Sequence, residues 1–218
     1  MLKYNVKEKA MTTVISKATL QRLPIYLNCL KSAGDTSEYV SATALANRLG
    51  LGEVQVRKDL ASICDAGKPK VGYLKRELIA VLENYLGADT NDAVLVGVGH
   101  LGTALMAYNG FEEYGFKIVA GFDVNPVLVG AKVAGKQVFS VDKMANLIGR
   151  LGVKIGIITL PKEYAQETAD KLIAAGIRAI WNFSPTYITV PDNIVVKNEN
   201  MASSLAVLSK QLKEISEK

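Results

Sequence analysis

Apolar residues in the first part of the chain recur at helical spacing. Leu20, Leu23, Leu27 and Leu30 fall three and four apart, which predicts one face of a helix over 17–33. Pro24 lies inside this pattern and predicts a kink or a helix start, and Gly34-Asp35 predicts the end. Ser41 is a good N-cap for a second helix, ATALANRL, which runs to a turn at Gly50-Leu51-Gly52. A third helix, Glu53 to about Cys64, follows at once. Two short helices joined by a tight Gly-containing turn make a helix-turn-helix pattern. In the third helix Val56, Leu60 and Ile63 share the core-facing arc. Lys58, Val54 and Ala61 face away, and Arg57 and Gln55 lie on the flanks. The next stretch, DAGKPKVGY, sets Lys68, Pro69 and Lys70 between turn residues and a short apolar run, as a β-wing does.

From Asn91 the period changes. Ala93–Val96 is a short continuous apolar run, the kind buried on both faces of a parallel sheet. Strands are then expected at Lys117–Phe122, Gln137–Phe139, Lys154–Leu160, Arg178–Phe183 and Asn193–Lys197, with helices at Lys143–Leu151 and Glu163–Ala175. This rhythm predicts a six-stranded, mostly parallel, doubly wound α/β sheet of Rossmann type. Asn198–Lys218 reads as one amphipathic helix with Met201, Leu205, Leu208 and Leu212 on one stripe. An exposed apolar stripe needs a partner, so a second copy of the chain is expected to cover it.

Charge divides along the same line. The net charge of +5 lies wholly in residues 1–86, which hold 13 basic and 8 acidic side chains against 13 of each sign in 87–218. A sign asymmetry of this kind points to two domains, one of which meets a polyanion. A hydrophobic content of 49% excludes general disorder. Cys29 and Cys64 make no disulfide framework and no zinc motif, so no metal is expected and both read as thiols in a reducing cytosol. MLKYNVKEKAMTTV has no run long enough for a signal peptide. The uncharged run Ala93–Phe111 carries four glycines and reads as strand, turn and helix rather than a membrane span. A cytoplasmic protein is expected.

Two constellations carry chemistry. Arg57, Lys58 and Gln55 on the free face of the third helix suit phosphates and base edges in a DNA major groove, and Lys68 and Lys70 suit phosphate. Gly97-Val98-Gly99-His100-Leu101-Gly102 is G-x-G-x-x-G after a strand and before a helix that runs through Tyr108, the context of a dinucleotide fingerprint. Its glycines permit the tight turn, the approach of pyrophosphate and the packing of helix on strand. Asp123 at the next strand end suits an adenosine ribose. Val124, Asn125 and Pro126 follow with no arginine, which favours NAD over NADP. Thr159-Leu160-Pro161 and Asn182-Phe183-Ser184-Pro185 end two more strands and are expected on the nicotinamide side. Hydride transfer needs a proton donor near that ring. The only histidine, His100, sits in the glycine loop instead, so the chain is not expected to be an enzyme.

RLPIYL (22–27), QVRKDL (55–60), VGY (71–73), GVGHLG (97–102), YNGF (108–111), FDVNP (122–126), AQETADKLIAAGI (165–177) and NFSP (182–185) together resemble the Rex family of redox-sensing transcriptional repressors. The resemblance covers nearly the whole chain. It implies a winged-helix domain over 1–86, a Rossmann NAD(H)-binding domain over 87–198 and a C-terminal helix, 199–218, exchanged across a homodimer. It further implies a repressor that holds operator DNA with NAD⁺ and releases it when NADH binds. By position, Arg57 and Lys58 are expected on DNA, and Ser41, Gln55, Lys68 and Lys70 are expected there from the chain's own helix and wing pattern. Gly97–Gly102 are expected on pyrophosphate, Asp123 on the ribose, and Tyr108, Asn182, Phe183 and Ser184 near the nicotinamide. The chain departs from the family pattern at His100 (commonly Asn), at Pro69 and Lys70 (usually Arg and Gly) and at Ala44 (often Glu). It also has Asn28 and Asn200 where some members carry Arg and Asp. Two other readings stay open: a small NAD-dependent oxidoreductase with a helical appendage, and a CoA-type nucleotide regulator on the same plan.

Overall fold

The computed structural model describes residues 15–32, 37–87 and 91–216, in two compact units that divide between residues 88 and 89. The expectations placed on MLKYNVKEKAMTTV up to Val14 and on Gly34-Asp35 lie outside the described residues.

In the first unit, α1 (Lys17–Ser32) is followed by β1 (Tyr39–Val40), α2 (Ala42–Leu49), α3 (Glu53–Ala61), β2 (Tyr73–Leu74) and α4 (Lys75–Leu86). Pro24 stands in the interior of α1, where it removes the N–H that would bond to the Leu20 carbonyl. The buried face of α1 is Leu23, Tyr26, Leu27 and Leu30, so the expected stripe is displaced: Leu20 is 45% exposed and Tyr26 takes its place in the core. Those residues pack with Leu45, Val56, Leu60, Leu78 and Leu82, all buried to 2% exposure or less. Each such side chain contributes roughly 1.5–3 kcal/mol by leaving water. Helix α3 stops at Ala61, short of the expected Cys64. Ile63 is therefore only half-buried while Cys64 turns into the core. β1 pairs antiparallel with β2, and Lys68 bridges Gly72 across the turn between them, giving the wing.

The second unit contains β3 (Asn91–Val96), α5 (His100–Ala107), β4 (Phe116–Asp123), β5 (Lys132–Val133), β6 (Lys136–Ser140), α6 (Met144–Leu151), β7 (Ile155–Ile158), α7 (Lys162–Ala174), β8 (Ala179–Asn182), β9 (Val195–Asn198) and α8 (Met201–Ser216). The sheet has seven strands in the order β5-β6-β4-β3-β7-β8-β9, one more than expected. The extra strand, β5, is a two-residue antiparallel edge on β6, and every other pairing is parallel. Alternate residues feed two cores. Val94, Val96, Phe122 and Ile158 pack with residues of α6 and α7, while Ala93, Leu95, Ile118 and Ile157 pack with Met106 of α5. The chain winds one way from β3 to β4 and the other way from β3 to β7, so the carboxyl ends of β3 and β7 form the crevice where such sheets bind ligands. No helix among the described residues is long and apolar enough to cross a membrane.

Candidate nucleotide cleft and nucleic-acid face

The loop after β3 places its three glycines in three different surroundings. Gly97 has φ +98°, and a Cβ there would lie 2.7 Å from Leu160 and 2.9 Å from the Thr159 carbonyl. Gly102 is tighter still, since a Cβ would meet the Gly97 carbonyl oxygen at 2.1 Å. Gly99 has nothing within 4 Å of that position. The first and third glycines are therefore required by the protein, whereas the second leaves open space at the start of α5, where backbone N–H groups and the helix dipole favour an anion. His100 is the first residue of α5 and is exposed, Leu101 is half-buried and Val98 is buried.

Asp123 ends β4 beside this loop. Its Oδ2 accepts from the Val98 backbone N–H at 2.6 Å, and its Oδ1 accepts from the Asn125 N–H at 2.8 Å. Two backbone donors fix the carboxylate and leave lone pairs for further donors such as ribose hydroxyls. From the other side Thr159 Oγ1 donates to the Gly97 carbonyl at 2.6 Å. Gly97, Gly99, Asp123, Val124, Thr159 and Pro161 line a cleft of about 500 Å³, closed along α7 by Tyr164 and by Lys171, which pairs with Glu167 at 2.7 Å. Thr159 and Pro161, expected beside the nicotinamide, thus share a cleft with the expected ribose residue. Thr159 also stands next to the β8 end, since the Phe183 N–H donates to the Ile158 carbonyl at 2.8 Å.

The turn after β8 is more internal than its sequence suggests. Asn182 is fully buried. Its Nδ2 donates to the Thr186 carbonyl and to Asn198 Oδ1, and its Oδ1 accepts from the Ser184 N–H, so the amide shapes the turn. Ser184 is 3% exposed and its hydroxyl has no partner among the described residues. Leaving a buried hydroxyl unpaired costs free energy. Tyr108, 58% exposed, begins a row of rings: Tyr108–Phe111 at 4.9 Å, Phe111–Trp181 at 5.7 Å and Trp181–Phe183 at 4.6 Å between centroids. Phe111 and Trp181 were not singled out from the sequence, although a lone tryptophan in a strand next to NFSP was a usable signal.

In the first unit, Ser41 Oγ caps α2 by accepting from the Ala44 N–H at 3.0 Å, with no acid at Ala44 to complete a capping box. Gln55, Arg57 and Lys58 are exposed on α3, and Arg57 pairs with Glu53 one turn earlier. Lys68 and Lys70 are exposed in the wing. Lys70 has φ +65°, which is left-handed and unusual for a residue with a Cβ.

Beneath α3 lies a network that the periodicity did not reveal. Asp59, 4% exposed, receives Arg22 Nε at 2.7 Å, Arg22 Nη2 at 2.9 Å, Tyr26 Oη at 2.6 Å and Thr19 Oγ1 at 3.0 Å. Burial alone would raise the Asp59 pKa, but the bonds from Arg22, Tyr26 and Thr19 outweigh it and hold the carboxyl below its ordinary value. Burial, followed by the bond to Asp59, pushes the Tyr26 hydroxyl up to about 12.

Known proteins match over the same two units. The family described as putative DNA-binding protein N-terminus matches residues 14–61, and the family described as CoA binding domain matches residues 89–186. The redox-sensing transcriptional repressor Rex of Porphyromonas gingivalis is 41% identical over 207 residues, which is 94% of this chain and 95% of that protein. The chain belongs to the Rex family. Rex of Treponema denticola is 41% identical over 201 residues, covering 91% of this chain and 96% of its own. Among solved structures, the Rex-family repressor RSP with β-NAD⁺ and operator DNA has a TM-score of 0.86 at 36% identity, covering 94% of this chain and 95% of its own. RSP with β-NADH has a TM-score of 0.82 at 35% identity, covering 94% and 97%. These relatives are repressors, not enzymes.

Against the Rex pattern, the departure at Asn200 has a visible role. Its Oδ1 accepts from the Ser203 N–H at 3.0 Å and its carbonyl accepts from Ser203 Oγ at 2.8 Å, so it caps α8. Asn28 contributes its carbonyl to Ser32 Oγ on α1.

Proposed function

We propose that this chain is a cytoplasmic, homodimeric repressor that holds operator DNA with its first unit and reads NADH against NAD⁺ with its second. The observation that carries the nucleotide half is the Val98–Asp123 bond of 2.6 Å beside the open Gly99. It couples a ribose acceptor to a pyrophosphate cradle in one loop. In this reading Gly97–Gly102, His100 and Leu101 included, hold the pyrophosphate through backbone N–H groups, Asp123 takes the adenosine ribose, and Thr159 and Pro161 wall the crevice. The ring row that starts at Tyr108 and includes Phe183 borders the nicotinamide, with Asn182 shaping the turn and the Ser184 hydroxyl serving the carboxamide. On the DNA side Gln55, Arg57 and Lys58 enter the major groove while Ser41, Lys68 and Lys70 reach phosphate. The domains are 1–86, 87–198 and 199–218.

Bound nicotinamide supplies a ring that is cationic when oxidised and neutral when reduced. An aromatic face returns roughly 0.5–2 kcal/mol to a cation, less than burying it unpaired costs, so the apolar row favours NADH. Homodimer formation is supported by α8, where every described side chain from Ala202 to Ser216 is exposed, Leu205, Leu208, Leu212 and Ile215 at 61–73% among them. Their alternating spacing of three and four is that of a helix seam, and we propose that a second copy receives it by exchange.

The test is fluorescence anisotropy on a palindromic operator at fixed salt. NAD⁺ is expected to preserve binding and NADH to abolish it. Equal DNA affinity with either nucleotide would refute the sensor reading. The family name CoA binding domain motivates a third arm, and a response to CoA in place of NADH would replace the ligand.

A further inference from the structure

We propose that Glu199 is a positioning residue through which the ring row sets the angle of α8, so that the state of the nicotinamide reaches the arrangement of the two chains. This rests on the proposed sensor reading and on α8 as its exchanged helix. Trp181 is held in the row between Phe111 and Phe183, with centroids 5.7 and 4.6 Å away, and its indole N–H donates to Glu199 Oε1 at 3.0 Å. Both residues are half-buried, where a hydrogen bond is less weakened by water. The register of β8 on β9 sets Trp181 opposite Lys197 and Asn182 opposite Asn198. Glu199 lies just past β9, two residues beyond Lys197, so its side chain falls on the Trp181 side of the sheet and reaches back to the indole. Lys197 Nζ stands 3.7 Å from the same oxygen, but a pair this exposed contributes little.

The main chain holds the same segment. The Glu199 N–H donates to the Asn182 carbonyl at 2.8 Å, and Asn182 Nδ2 donates to Asn198 Oδ1 at 2.8 Å. One residue, Asn200, then leads into α8 and caps it. An indole has a single donor and no acceptor, and a hydrogen bond weakens steeply as its angle bends. A shift of the Trp181 ring therefore either draws Glu199 with it or gives up the bond. The row borders a nicotinamide whose charge changes on reduction, and edge-to-face packing of rings depends on their charge distribution. Hinges are a few element-terminal residues of this kind, which turn a small shift into rotation of a rigid element. The 16 residues of α8 span about 24 Å, so a tilt of about 5° at its first turn moves its far end by about 2 Å.

The experiment measures operator affinity of the full-length protein by anisotropy, once with saturating NAD⁺ and once with saturating NADH. The ratio of the two dissociation constants is the coupling, and at saturation it does not depend on nucleotide affinity. Wild type is compared with Glu199→Ala, Glu199→Gln, Trp181→Phe and the two double variants, with thermal midpoints and sedimentation recorded alongside. Glu199→Ala is expected to cut the coupling at least about fivefold, the equivalent of one hydrogen bond of about 1 kcal/mol. Glu199→Gln keeps an acceptor for the indole and should stay within about twofold of wild type. In the Trp181→Phe background the donor is gone, so alanine and glutamine at position 199 should give the same coupling. A merely structural Glu199 moves the midpoint without this dependence on the ring partner. If Glu199→Ala does not fold, Trp181→Phe decides, since its coupling should fall by the same factor. A coupling that stays within about twofold of wild type in the decisive variant, a loss in Glu199→Gln as large as in Glu199→Ala, or single losses that multiply in the double variant overturns this inference and leaves the sensor intact. A wild-type coupling of one overturns the sensor reading, and a wild-type monomer in sedimentation overturns the exchange of α8; the inference falls with either.

Discussion

Single atoms separate the three glycines of the nucleotide loop. A methyl at Gly102 would stand 2.1 Å from a backbone oxygen that cannot swing away, whereas one at Gly99 meets nothing within 4 Å. Gly99→Ala is therefore expected to leave the melting temperature nearly unchanged, within about 0.5 kcal/mol, while cutting NADH affinity more than about tenfold by occupying the pyrophosphate approach. Gly102→Ala should instead destabilise the second unit by about 1–3 kcal/mol or more through overpacking. Calorimetric titration beside thermal unfolding separates the two, and a Gly99→Ala variant that binds NADH normally contradicts the cradle. Asp59 supports a second expectation, in pH. Its folded pKa is depressed, so its stabilisation is fully present above the unfolded value of about 4 and is lost as pH falls through the lower folded value. Tyr26 is raised to about 12, so its share is intact below about 10 and is lost as pH rises through about 12. Urea unfolding of the first unit should be flat in pH between these limits, and Asp59→Asn should lose stability at neutral pH while flattening the acid limb. An acid limb unchanged in Asp59→Asn would assign it to other carboxylates.

Elements whose requirements are local were the legible ones. A glycine loop between strand and helix can be recognised because each glycine answers to a neighbour a few residues away. β5 carries no legible signature because its hairpin loop, Ala134-Gly135, takes positive φ at both positions (+48° and +78°) with alanine where Asn, Asp or Gly would give the usual one. α4 carries no start signal in the sequence because its N-cap, Leu74, has no side chain that can cap. The Asp59 network was invisible for another reason. An acid on the core-facing arc of α3 looks like a break in the pattern until α1 supplies Arg22 and Tyr26, a pairing that only tertiary structure makes. The wing tests how far function overrides local preference. Lys70 holds a left-handed φ of +65°, a conformation that costs a Cβ-bearing residue roughly 1–2 kcal/mol and glycine almost nothing. Lys70→Gly is expected to raise the stability of the first unit by up to about 1 kcal/mol. It should also weaken operator binding and lower the salt slope by about 0.9, the share of one phosphate contact. A stabilised variant with an unchanged salt slope would remove Lys70 from the DNA face.

At the scale of the whole chain, the basic excess and the nucleotide loop belong to different units, so sensing requires a free energy that links them. NADH cannot act on operator affinity unless it binds two arrangements of the protein unequally. Linkage then makes the effect reciprocal: the factor by which NADH weakens operator binding equals the factor by which operator weakens NADH binding. Typical couplings of about 1–3 kcal/mol correspond to roughly 5- to 150-fold. Trp181, the only tryptophan, stands in the ring row beside Phe183 and emits where reduced nicotinamide absorbs, so quenching of its emission follows NADH without a label. NADH titrated with and without saturating operator, at the salt used for anisotropy, should give two dissociation constants whose ratio matches the DNA measurement. Arg57→Ala and Lys58→Ala should shrink operator affinity while leaving the NADH constant of the free protein unchanged, since neither residue belongs to the nucleotide unit. An NADH affinity indifferent to operator would mean that the two units of this chain do not communicate, and a redox sensor cannot be built from units that do not.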